Sequence, residues 1–265
     1  DRSGSYSGSN GRFAQFARAI RKAYPKLKIV ATMPVKGDVQ PNLIDEHFYR
    51  TPQQFLHEAN YFNHVSRKGP KIIVGEWATL EGTPTSDFGA ALGDAAWMTG
   101  LERNSDLVVM ASYAPLFVNV NPLASQWPTN LIGYDALHSY GSPSYYAQVM
   151  FSSYLGNQVV AARLASAGPL CFESVTRNAA THTLFIKIVN AAPLPQPLTL
   201  HIEGAPAVAR RGTLVTLSAK STHATNSIRH PRRVIPHSET VNWLGPQVNH
   251  TFPPYSISVL VMHVH

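Results

Sequence analysis

The chain has 265 residues, 44% of them apolar, enough for one large domain or two medium ones around a substantial core. Only 14% are charged, and no apolar run reaches the length of a membrane span. The net charge is +7 with the basic residues read as scattered; the densest patch, Arg229-His230-Pro231-Arg232-Arg233, lacks the aromatic interleaving of a single-strand nucleic-acid binder and reads as a solvated loop.

Residues 1–10 are rich in Ser and Gly and read as loop; with no initiator Met at Asp1, the opening looks cut from a longer protein. Phe13, Phe16, Ala17 and Ile20 recur at helical spacing, predicting a helix over 11–23 ended by Pro25. Leu27 to Met33 reads as a short strand, and Ile44 to Tyr49 as another with a polar end. Thr51 caps a helix that opens on Pro52 and carries Phe55, Ala59 and Phe62 on one face. A strand ending at Glu76 follows, then a helix over about 86–102, then a strand over Leu107 to Ala114. Pro115 to Tyr140 reads as a long loop, and Ser142-Pro143 opens a helix to about Leu155.

Helices alternating with short apolar strands have the rhythm of parallel βα units. Only about four strands precede residue 156, too few for a closed eight-strand barrel. After Gly156 the period changes to two. Thr183 to Val189, Leu198 to Ile202 and Tyr255 to Met262 alternate, with Ile257, Val259 and Val261 facing one way, and Pro-rich turns separate them. The expected architecture is α/β followed by all-β: residues 1–156 as half of a (β/α)8 barrel, and 157–265 as an antiparallel β-sandwich.

Lys71-Ile72-Ile73-Val74-Gly75-Glu76-Trp77-Ala78 reads as a buried parallel strand ending on a carboxylate. The C-terminal ends of barrel strands are where α/β barrels place their chemistry, and a carboxylate beside an aromatic ring suits sugar hydrolysis. Trp77 either walls that site or points into the barrel–helix layer. Asp45 and Glu46 lie on the neighbouring strand end. Side chains alternate there, so if His47 faces the site then Asp45 does too and Glu46 points away. Tyr113, Phe117 and Trp127 either stack on a sugar face or pack in the core. The single cysteine, Cys171, forms no internal disulfide and is expected at the domain seam. No His/Cys cluster has zinc spacing, so no metal is implied, and the compartment is unreadable.

Three blocks, Asp45 to Arg50, Val74 to Ala78 and Asn104 to Asn119, together resemble the α-L-arabinofuranosidases of glycoside hydrolase family 51, as does the ending Phe252 to Leu260. The resemblance implies an eight-strand barrel followed by a β-sandwich, and cleavage of terminal arabinofuranosyl groups from arabinoxylan- or arabinan-type glycans with retention. It implies Glu76 as the nucleophile at the end of strand seven. By the same resemblance His47 and Tyr49 contact the sugar, and Gln148 matches a glutamine that reaches it. The family's general acid/base is a Glu in an Asn-Glu pair on strand four. A segment like Asp1 to Tyr6 follows that pair in the family, so the proton donor is expected upstream of residue 1, in an N-terminal barrel half or a second chain supplying it. Neither cofactor nor metal, nucleic acid nor membrane is implied. The alternative is a non-catalytic carbohydrate-binding or assembly module that needs a separate N-terminal half.

Overall fold

The computed structural model describes residues 6–124, 127–165 and 167–264; Asp1 to Ser5, read above as the start of a loop, lie outside them. The first part runs α1 (Arg12–Ala23), β1 (Val30–Ala31), β2 (Leu43–Arg50), α2 (Pro52–Glu58), a 3-10 turn (Tyr61–His64), β3 (Lys71–Thr79), α3 (Phe88–Arg103) and β4 (Val108–Tyr113). β1 to β4 form one parallel sheet in sequence order. The strand expected over Leu27 to Met33 shortens to two residues at the sheet edge, flanked by Pro25 and Pro34.

The helices begin where local chemistry satisfies their first N–H groups. Thr51 and Gln54 form a reciprocal capping box ahead of Pro52. Asp87 caps α3 by accepting from the Ala90 N–H at 3.1 Å. Ser142 caps α4 (Pro143–Ser153), accepting from the Tyr145 N–H at 3.2 Å. Between β4 and α4, three strands of three residues each, β5 (Phe117–Asn119), β6 (Ile132–Tyr134) and β7 (Ser139–Gly141), pair as a small sheet. That is a correction to the loop expected over Pro115 to Tyr140. Strands so short leave no readable alternation.

The second part is antiparallel: β8 (Gln158–Val159), β9 (Cys171–Asn178), β10 (Thr183–Asn190), β11 (Gln196–His201), β12 (Val208–Ser218), β13 (His237–Val241), β14 (Gln247–Phe252) and β15 (Ser256–Val264). Six of these make a sheet in the order β13-β12-β15-β10-β9-β8, and β11 pairs with β14 as a separate ribbon. The ribbon covers one face of the sheet through a core that includes Leu260 and Met262 of β15. Cys171 is buried in that core rather than at the seam.

The other face of the sheet is also covered. Ile257 and Val259 pack into the same core as Phe55, Ala91, Ala95 and Trp97. α3 therefore lies between two sheets. This explains its sequence, which is apolar or small on every side from Phe88 to Gly100, with every residue of that stretch buried. Gly100 lets the helix approach closely: a Cβ there would stand 2.1 Å from the Ala59 carbonyl oxygen.

Candidate active site

α2 and α3 cover one face of the parallel sheet, burying Phe48, Phe55, Phe62 and Trp97 as a ring cluster, while α1 packs separately against Ala31 and Ile44. On β2 the alternate residues Asp45, His47 and Tyr49 project from the opposite face. Period two thus delivers three polar side chains to one surface without further help.

β3 needs a register change to join them. Its pairing with β2 runs Glu46 opposite Val74, then His47 opposite Glu76, leaving Gly75 as an extra residue. Such a bulge shifts every later side chain to the other face. Val74 faces the helices; without the extra residue Glu76 would face them too. With it, Glu76 comes to the face of His47, and Trp77, opposite Phe48, takes the helix side.

Gly75 is also required sterically. A Cβ at this position would lie 2.0 Å from Oδ1 of Asp45. The Asp45 carboxylate occupies the space that the missing side chain leaves, and its Oδ1 is buried with no hydrogen-bond partner.

The polar groups connect into one chain. The Tyr49 hydroxyl donates to Oε2 of Glu76 at 2.7 Å. His47 places Nδ1 3.5 Å from the same oxygen and Nε2 3.1 Å from Oδ2 of Asp45. A neutral imidazole donates from only one nitrogen, so the ring can serve one carboxylate as donor at a time. Burial, and then the hydrogen bond to Glu76, push the Tyr49 phenol up to about 12, which keeps it a donor at any ordinary pH. Glu76 itself is about half exposed, with a side-chain accessibility of 47%. The arrangement is a half-exposed carboxylate held by the Tyr49 hydroxyl, with the His47 ring beside it.

Of the residues singled out from sequence, Glu76, His47 and Tyr49 are brought together. Asp45 joins them through His47. Glu46 lies on the helix face with its carboxyl raised by burial. Trp77 is a correction: it is 2% exposed and packs against Phe55 and Tyr113 at centroid distances of 6.1 and 5.3 Å. The bulge that turns Glu76 out turns Trp77 in. Gln148 is a second correction. It stands on α4 and lines a groove with Met98, Leu101, Val108 and Phe151, which belong to the helix side of the sheet. Its amide nitrogen is buried without a partner there. Phe117 and Trp127 are exposed, whereas Tyr113 is buried.

Sequence reasoning missed the layer behind the site. Asp94 of α3 accepts from the Thr79 N–H at 3.0 Å and from its hydroxyl at 2.6 Å. Oδ2 of Asp94, Oγ of Ser144 and the Tyr113 hydroxyl are buried there, none of them with a close partner. Asp94 lies in an apolar helix, and a buried Asp among alanines was the available signal.

Three ligand-type groups also meet beyond β3. Glu81, Asp87 and His223 bring oxygen and nitrogen atoms within 4.8 Å of one another. Asp87 is already engaged: it caps α3 and lies 3.4 Å from His223. Burial, with the Asp87 charge second, raises the Glu81 carboxyl. A helix N-terminus opposes a cation, so the cluster reads as a clasp between the two parts of the chain rather than a metal centre.

Sequence comparison matches these features to known proteins. The family described as "Alpha-L-arabinofuranosidase C-terminal domain" matches residues 75–256, and that described as "Alpha-L-arabinofuranosidase 1 domain" matches residues 1–67. Alpha-L-arabinofuranosidase 1 of Arabidopsis thaliana is 32% identical over 257 residues, covering 94% of this chain and 38% of that protein. Alpha-L-arabinofuranosidase A of Aspergillus niger is 32% identical over 258 residues, covering 94% of this chain and 39% of that protein. Among solved structures, the arabinose-bound MgGH51 α-L-arabinofuranosidase superposes with a TM-score of 0.87 at 32% identity, over 96% of this chain and 42% of that one. The arabinose complex from Thermotoga maritima, at 19% identity and a TM-score of 0.73, shares the fold. The chain thus spans less than half the length of the curated relatives, and it belongs to the α-L-arabinofuranosidases of glycoside hydrolase family 51, matching the C-terminal part of its members.

Proposed function

We propose that this chain carries the nucleophile half of a retaining α-L-arabinofuranosidase site, with Glu76 as the nucleophile. The observation that carries the reading is the bulge at Gly75, which sets Glu76 beside Tyr49 and His47 on an open strand-end face. The Tyr49 hydroxyl fixes Oε2 of Glu76, leaving Oε1 for attack. In the first step Glu76 bonds to the anomeric carbon as the bond to the leaving oxygen breaks. In the second, water displaces Glu76, and two inversions give net retention.

The first step needs a proton for the leaving oxygen. A retaining pair of carboxyl groups stands about 5–5.5 Å apart across the scissile bond. Asp45 is separated from Glu76 by the His47 ring, and Glu46 faces the helices, so neither fits. We assign the proton donor to the N-terminal part of the relatives, which this chain does not match, present on the same polypeptide or supplied by another chain. Asp45 then orients His47, and His47 and Tyr49 contact the sugar. The substrates are arabinose-bearing oligo- or polysaccharides, after the activity for which the relatives are named.

The test uses an aryl arabinofuranoside, whose leaving group hardly needs protonation. Mass spectrometry should find a glycosyl ester on Glu76 of this chain and none in Glu76→Gln. An ester elsewhere, or binding of glycan indifferent to Glu76→Gln with no ester at all, would replace this reading with the carbohydrate-binding module.

A further inference from the structure

The positive charge is not scattered. Between Glu203 and Glu239 the sequence holds no acidic residue, yet it holds six Lys and Arg and three His. With 22 basic and 15 acidic residues in the chain, this one stretch supplies +6 of the net +7. Its centre is the loop Arg229-His230-Pro231-Arg232-Arg233, in which all five residues are exposed and together line a recess.

Other arginines have structural work. Arg50 pairs with Glu58 at 2.9 Å, Arg67 with Asp106 at 3.1 Å, and Arg103 reaches the Ala59 carbonyl at 3.1 Å. Among the described residues, no ion pair engages Arg229, Arg232 or Arg233. Three arginines thus stand exposed within five residues.

The loop is nonetheless fixed. Ser227 and His230 exchange backbone hydrogen bonds at 3.2 and 3.0 Å. Asn226, 1% exposed, donates to the carbonyls of Gly141 and Val234 and accepts from the Val234 N–H at 2.8 Å. Upstream, the Ala224 and Thr222 carbonyls accept from the Phe88 and Gly89 N–H groups, and the Thr225 hydroxyl donates to the Ser86 carbonyl. These anchors are the segment that follows β3 and the turn before α4. Ser86, Phe88 and Gly89 follow the C-terminal end of β3, the strand that carries Glu76, so the loop is fastened to the part of the chain that holds the candidate site.

We propose that this loop is an anion subsite for uronate-bearing polysaccharide, gripping carboxylates of the polymer from which the arabinose is removed. Guanidinium forks match carboxylates in a bidentate manner, which favours Arg over Lys at such a place. A nucleic acid carries anions too, but its single strands are held by stacking, and no Phe, Trp or Tyr lies between Gly204 and Asn242. The choice of a polysaccharide rests on the glycosidase reading; the binding does not, because Glu76 takes no part in it.

The experiment is affinity electrophoresis of this chain through gels containing polygalacturonate, neutral dextran or single-stranded DNA. Polygalacturonate should retard the protein, dextran should not, and the retardation should fall roughly tenfold in apparent affinity between low and physiological salt. Replacing Arg229, Arg232 and Arg233 together with Ala should weaken it at least fivefold; the triple Lys variant should fall between that variant and the parent. Glu76→Gln, which removes the nucleophile, should leave retardation intact. No retardation at low salt, equal retardation of the triple Ala variant, or tighter binding of DNA than of polygalacturonate would overturn the proposal. The first two outcomes would leave the assignment of Glu76 standing.

Discussion

Asp94 has no exposed surface, and burial raises its carboxyl to about 6, against the hydrogen bonds from Thr79 that pull it down. The folded chain therefore holds a proton that the unfolded chain releases near pH 4. Stability from this group is complete below the unfolded pKa and is lost as pH rises through about 6. The loss reaches at most about 3 kcal/mol at neutral pH, from a shift of roughly two units. An Asn here keeps the acceptor for Thr79 and has no proton to lose. Urea denaturation of Asp94→Asn and the parent should give equal midpoints near pH 4, with the variant ahead by about 1–3 kcal/mol at pH 7. A difference that stays flat across that range would mean the carboxyl is not neutral in the fold. The only trace of this in the sequence is an Asp among alanines. The residue stands in an apolar run, and only the packing of α3 between two sheets shows that its charge has nowhere to go. Asp45, His47 and Tyr49 were legible, because strand alternation alone puts them on one face.

At the level of elements, the caps read out directly. Thr51-Pro52 and Ser142-Pro143 mark α2 and α4, because Ser or Thr followed by Pro satisfies the first turn of a helix and little else. The bulge in β3 did not read out. Ile72 to Glu76 looks like an unbroken strand, and nothing local says that the period slips at Gly75. The slip decides which of Glu76 and Trp77 reaches the open face, which is why both readings of Trp77 stood open in the sequence. This yields a test of the bulge itself. Gly75→Ala sets a methyl against the Asp45 carboxylate, which must give way. Asp45 should swing away, freeing His47. The rate of glycosyl-ester formation on Glu76 should fall by about 10- to 100-fold, comparable to the loss of positioning in other preorganised sites. Asp45→Ala should lose about as much, and adding Gly75→Ala to it should cost little more, since both act by releasing His47. A Gly75→Ala chain as fast as the parent would show that Asp45 does not hold His47.

At the scale of the whole molecule the two parts cannot be separated. α3 donates its sides to both sheets and its N-terminus to the carbonyls of Thr222 and Ala224. Its C-terminal turn is fastened by a buried ion pair. Lys187 of β10, with no exposed side-chain area, donates to Oε1 of Glu102 at 2.6 Å and to the Tyr154 carbonyl. Glu102 also accepts from the Ser174 hydroxyl. Burying such a pair costs desolvation, so its net worth against an apolar pair is small. Breaking it is another matter, because the surviving charge is left in an apolar seam. Lys187→Met should cost about 3–5 kcal/mol, and Glu102→Leu a similar amount. The double variant should recover most of this loss, as two apolar side chains can pack where two charges stood. Urea titration followed by both near-ultraviolet and far-ultraviolet dichroism checks the energies and the cooperativity together. One coincident transition in the parent and both single variants is expected, because the core around α3 is shared by both parts. If instead the single variants lose one transition and keep another, the sandwich folds without α3. The ion pair would then be a contact between two independent domains.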